Sequence, residues 1–197
     1  MELTPTFLMR MIKETLSAPR AAAAAVLSFG FSPMVGWMAL MLMAIGSTLL
    51  THISFAMMPI EAQEFWGAAM GSPMRTAVLQ WVILLISVHA IHRIGQWRRG
   101  KGRLEGAVIL VAWLQFILLC VQVVQLVAQA FVPALADLLG ILGLVLFMWL
   151  LTNFVAQLHG FSSLALTFVG IILTLVCLTF VLAFIFTLLF GAAAVGV

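Results

Sequence analysis

The charges of this chain are confined to a few short stretches. From Gly106 to Val197 the only formal charge is Asp137, and from Ala21 to Ile60 there is none. A water-facing surface cannot be built from such stretches. Of the 197 residues, 65% are hydrophobic and only 8% charged, where a soluble domain carries about 25% charge. The chain is therefore read as an all-α, polytopic integral membrane protein. A disordered chain, a disulfide scaffold and a nucleic-acid binder are excluded. Nine Lys/Arg stand against six Asp/Glu, an excess that sets orientation in a membrane before it implies a polyanionic partner.

Hydrocarbon about 30 Å thick needs roughly 20 apolar residues per helix. Five segments qualify, at about 34–58, 74–91, 107–131, 135–156 and 164–190. They are continuously apolar rather than alternating, so helices are expected and a barrel is not. Ser32-Pro33 and Ser72-Pro73 read as N-caps followed by a first-turn proline. Pro133 can open the fourth span, with Asp137 expected in its first turn, where a carboxylate suits the helix dipole. Gly160 can close that span in a left-handed turn, and Ser162 or Ser163 can start the fifth.

Residues 1–33 form a separate cytoplasmic and interfacial segment in this reading, ahead of a transmembrane domain at 34–197. Leu8, Met11, Ile12 and Leu16 recur at helical spacing opposite Arg10, Lys13 and Glu14, the pattern of a helix lying in a membrane interface. The apolar tract Ala21–Leu27 reads as a short helix starting at Pro19, not as a cleaved leader.

The charges also set a topology. Arg10, Lys13 and Arg20 precede the first span, and Arg93, Arg98, Arg99, Lys101 and Arg103 follow the second. Glu61 and Glu64 lie between them. Positive charge favours the cytoplasm. The N-terminus and the 92–105 loop are expected inside, the 59–73 loop and the C-terminus outside.

Polar side chains within spans are candidates for packing or function. Gln115, Gln122, Gln125 and Gln129 fall within about 80° of arc on the third span. Asn153 and Gln157 lie one turn apart on the fourth. They can hydrogen-bond across helices, which is the expected role, or line a polar path. His52, His89, His92 and His159 show no metal-ligand spacing, and no cofactor or metal is expected. Cys120 and Cys177 read as small buried hydrophobes. No nucleophilic triad, phosphate-binding loop or carboxylate pair appears. The Gly100–Arg103 stretch lacks the context of a P-loop and reads as a basic loop.

Three stretches, TLSAPRAAAA at Thr15–Ala24, GKGRLEGAVILVAWLQFILL at Gly100–Leu119 and LTNFVAQLHGFSS at Leu151–Ser163, resemble bacterial members of the Yip1 domain family, particularly those of alphaproteobacteria. The family's first motif is more usually preceded by Asp, where this chain has Ala18. The resemblance implies a five-helix membrane domain and no catalytic residues. Eukaryotic relatives bind Rab-type GTPases and shape Golgi and endoplasmic-reticulum membranes, a role not transferred here because their long cytoplasmic segment has no counterpart ahead of the first span. The matching positions Arg103, Glu105, Gln115, Asn153, Gln157, His159 and Gly160 become candidates for structural or interaction roles.

The expected function is non-enzymatic: membrane organisation, or assembly and scaffolding, in a bacterial inner membrane. Arg103, Glu105 and His159 would join two connections in a polar cluster. Arg10, Lys13, Arg98, Arg99 and Lys101 would contact anionic lipid. Expected partners are the bilayer and other membrane proteins or further copies of the chain, not nucleic acid. A small transporter or channel using the Gln face, and an accessory subunit of a respiratory or photosynthetic complex, are the alternatives.

Overall fold

The computed structural model describes residues 4–190; the side chains of 68–70, 182 and 185–190 lie outside that description. Eight helices follow one another: α1 (Pro5–Ser17), α2 (Pro19–Ser28), α3 (Pro33–Ala56), α4 (Ile60–Met70), α5 (Pro73–Trp97), α6 (Leu104–Phe131), α7 (Pro133–His159) and α8 (Leu164–Phe190). No strand occurs among the described residues. Helices α3, α5, α6, α7 and α8 are long and apolar enough to cross a membrane. The chain is an all-helical, multi-pass membrane protein.

The helix starts follow from local chemistry. Thr4, Ser32 and Ser72 each accept a hydrogen bond from the backbone N–H three residues on, and a proline occupies the next position, where no N–H is required. Pro133 opens α7, and Ser163 Oγ accepts from Leu166 N at 3.2 Å. At the other end of α7, Gly160 takes a left-handed φ of 72°, a conformation glycine adopts without a Cβ penalty. Asp137 is an exception: as the fifth residue of α7 it falls just past the first turn, out of reach of the free N–H groups.

Among the differences from the bounds the sequence suggests, two are span ends and one is a connection. The second span continues to Trp97 instead of ending near Ile91, because Gly95 stays buried on one side while Arg93 and Gln96 face outward. An amphipathic last turn leaves hydrocarbon without breaking its helix, so the 92–105 loop shrinks to residues 98–103. The fourth span likewise runs on to His159. The connection after α3 holds the short helix α4, which starts behind Pro59, carries Glu61 in its first turn and exposes Phe65 and Trp66.

The core lies around α6. Leu40, Ala44, Leu84, Val88, Ala107 and Val108 form one buried cluster between α3, α5 and α6. Met11, Ala23, Val26, Leu110, Leu114, Leu150 and Phe154 form a second between α1, α2, α6 and α7. Helix α1 thus places Met11 and Thr15 inside the protein, while Met9 and Leu16 remain exposed. Trp113 Nε1 donates to Thr15 Oγ1 at 3.0 Å. The basic segments and the α5–α6 and α7–α8 connections gather at one end of the bundle, the basic end; α4 and the α6–α7 connection lie at the other.

Candidate functional site

Helix α5 ends in a Schellman turn. Gly100 N donates to Gly95 O at 2.8 Å and Arg99 N to Gln96 O at 2.8 Å, with Arg99 at φ 61°. Helix α7 ends beside it in the turn at Gly160, closed by Phe161 N donating to Ala156 O at 2.8 Å. His159 sits between the two turns and is only 2% exposed. Gly102 N lies 3.3 Å from Nδ1 and Ile91 O lies 3.1 Å from Nε2. A backbone N–H can only donate and a carbonyl can only accept, so Nδ1 is the acceptor and Nε2 carries the proton. Lys101 N donates to His159 O at 3.2 Å. The ring thus bridges α5, the α5–α6 connection and α7.

Three glycines make room for it. A Cβ on Gly95, Gly100 or Gly102 would run into the imidazole. Phe161 stacks on the ring's other side, at 5.4 Å between centroids and 20° between planes. Arg20 of α2 donates to Phe161 O at 2.9 Å, and Arg98 lies over the Phe161 ring at 5.3 Å. Among the sequence candidates, His159 does join the two connections, though through backbone groups of Lys101 and Gly102. Arg103 pairs with Glu105 at 3.3 Å on the exposed surface, where such a pair contributes at most about 1 kcal/mol. Glu105 also stands in the first turn of α6. The glycines, Phe161, Arg20 and Arg98 were missed as parts of this seat. For Gly100 and Gly102 the signal is their alternation with basic residues in Gly100–Arg103; Gly95, Phe161, Arg20 and Arg98 carry none in sequence.

Arg99 adopts a left-handed conformation that costs a non-glycine residue about 1–2 kcal/mol. Arg99→Gly should therefore raise stability by about 0.5–1 kcal/mol after glycine's own entropic cost. Thermal unfolding in mild detergent checks this, and a lowered midpoint would count against it.

The glutamines of α6 do not share one environment. Ser47 Oγ donates to Gln122 Oε1 at 3.1 Å, and Gln122 Nε2 donates to Thr51 Oγ1 at 3.0 Å and Ser47 O at 3.4 Å. One heptad further, Ser54 Oγ donates to Gln129 Oε1, and Gln129 Nε2 donates to Ser54 O at 3.0 Å. The two pairs repeat the same module along parallel helices. Close approach is permitted by Gly36, packed under Val108 and Ile109, and by Gly46, packed under Leu119. Gln125 instead lies beside Gly140 of α7. Asn153 Nδ2 bonds Trp149 O in its own helix at 2.8 Å, and Gln157 is half-buried a turn on.

Gln115 lines a different feature. A cleft of about 260 Å³ runs between α5 and α8, floored by α6 and α7. Arg98 stands at its basic end, with Thr167, Gly170, Thr174, Ser87 and Gln80 along the walls.

The histidines are dispersed. His89 stacks on Trp37 and its Nδ1 meets Leu85 O at 2.8 Å, while His52 Nε2 meets Thr76 Oγ1 at 3.1 Å. His89 and His159 therefore engage different partners. Among the described residues no group of three or more His, Cys, Asp or Glu could hold a metal ion. Of the remaining basic candidates, Arg10, Lys13, Arg99 and Lys101 are exposed, Arg10 lying over the Phe7 ring at 5.4 Å.

No curated protein and no solved structure matches this chain. A family model does: the Yip1 domain matches residues 13–185. That stretch runs from α1 through α8 and takes in the α3–α6 seam, the His159 seat and the cleft, so the chain belongs to the Yip1 domain family.

Proposed function

We propose that this protein is a non-enzymatic membrane-organising or assembly protein of a bacterial inner membrane. One observation carries the reading. The polar groups best suited to chemistry are engaged in holding helices together: both ring nitrogens of His159 meet backbone, and Gln122 and Gln129 bond α3. What remains outward is apolar helix surface on α3, α5, α7 and α8, suited to lipid and to other membrane helices. A pull-down in gentle detergent followed by mass spectrometry tests the assembly arm. Stoichiometric membrane partners or further copies of the chain are expected, and an isolated monomer would sink it.

The proposed orientation places the basic end in the cytoplasm, following the Lys/Arg excess there. A reporter active only in the periplasm, fused after Val197, should then give signal. Activity of a cytoplasm-only reporter at that position would reverse the topology.

A further inference from the structure

We infer that the α5–α8 cleft is a discrete binding site for an anionic glycerophospholipid, with one acyl chain lying in the cleft and the phosphate held by Arg98. The character of the walls favours an acyl chain over a polar solute. Ser87 Oγ donates to Ile83 O at 2.8 Å, Thr167 Oγ1 to Ser163 O at 2.8 Å and Thr174 Oγ1 to Gly170 O at 2.7 Å. Their hydroxyls are thus turned back on their own helices, and the cleft between them presents mainly aliphatic surface: Ile94, Leu114, Leu151 and Ile171 among others. From Thr167 to Leu178 its α8 wall rises about 17 Å at 1.5 Å per residue. That is close to half of a hydrocarbon layer about 30 Å thick, the depth available to one chain of one leaflet.

The basic end supplies the charge. Arg98 leaves the last turn of α5 and crosses to α8, where Nη1 donates to Leu166 O at 3.2 Å. It passes over Gly170, at which a side chain would collide with the guanidinium. One of five N–H groups is thereby used to fix the fork, and Phe161 supports its face. The other N–H groups have no partner among the described residues and stand at the mouth of the cleft. Arg99 and Lys101 follow in the chain, both exposed, and Glu105, in the first turn of α6, is paired with Arg103. A planar, pre-oriented guanidinium is the group that recognises a phosphate diester.

This inference goes beyond the assembly reading and fails separately from it, since a lone monomer can still hold the lipid. The test uses the full chain in mild detergent, with native mass spectrometry on addition of palmitoyl-oleoyl phosphatidylglycerol, phosphatidylcholine of the same chains, or inorganic phosphate. One phosphatidylglycerol should be retained per protein, roughly fivefold more tightly than phosphatidylcholine, the ratio that about 1 kcal/mol per nearby basic residue implies. Arg98→Gln should erase that preference, and Lys101→Gln should leave most of it. Ala90→Trp on α5, or Thr174→Phe on α8 should the first fail to fold, fills the cleft and should remove retention of both lipids. Equal retention of the two lipids by the unaltered protein would overturn the site. So would full retention by a folded cleft-filling variant, or displacement of the lipid by inorganic phosphate alone.

Discussion

His159→Ala is expected to lower stability by at least about 3 kcal/mol. Removing a fully buried ring leaves a cavity that alone costs about 2–5 kcal/mol. It also strands the buried N–H of Gly102, worth about 1–3 kcal/mol without a partner, while Ile91 O, inside α5, keeps its own helix's bond. Gly95→Ala attacks the same seat from the other side. Its new methyl would occupy space held by the imidazole, and overpacking of this kind costs about 1–3 kcal/mol. The double variant separates mechanism from general fragility. Once the ring is gone, the added methyl has room, so Gly95→Ala/His159→Ala should be no less stable than His159→Ala alone. The coupling between the two sites should then be at least about 1 kcal/mol. Thermal unfolding in detergent across the four proteins measures it, and additive losses would show that ring and glycine do not share one space.

The second large effect is expected at the α3–α6 seam. Replacing both Gln122 and Gln129 by Leu removes the amides that meet Ser47, Thr51 and Ser54. Interhelical hydrogen bonds in membranes average about 0.6 kcal/mol and reach about 1.7, so the pair should cost about 1–3 kcal/mol. The loss is held down because Thr51 Oγ1 already bonds Ser47 O within α3, at 2.9 Å. Either single variant should give about half the effect. The same double variant bears on transport: in a path lined by these amides it would alter solute flux in liposomes, whereas packing residues lower only the unfolding midpoint. An unchanged midpoint together with altered flux would reverse the assignment.

The five spans and most of their caps were legible because they depend on local rules. Hydrocarbon thickness sets the apolar length, and Ser-Pro pairs and Gly160 mark helix ends by backbone chemistry. The end of α5 was not legible from hydropathy, since Arg93 and Gln96 lower the average while the helix continues. Helix α4 was missed because its eleven residues fall short of a span and carry two carboxylates. At the site, His159 could be singled out and its seat could not. Its partners are backbone atoms and glycines, which carry no polar signature in sequence, and which faces meet is a tertiary fact. The glutamines show the same limit. Their common face on α6 was readable at 100° per residue, yet Gln122 and Gln129 reach α3, Gln125 lies by α7 and Gln115 lines the cleft.

The parallel pairing of α3 with α6 has a consequence for biogenesis. Their partner residues lie 75 positions apart, so all of α3 and α5 is synthesised before Gln122 exists to meet Ser47. Until then Ser47, Thr51 and Ser54 lack their α6 partners, and their own helix supplies the bonds that remain, as Thr51 Oγ1 to Ser47 O does at 2.9 Å. A chain arrested before Gln122 would hold its first two spans without the seam that joins them to the core. The α3–α6 seam therefore cannot close until the third span is in place, and until then α3 has only α4 and α5 to pack against.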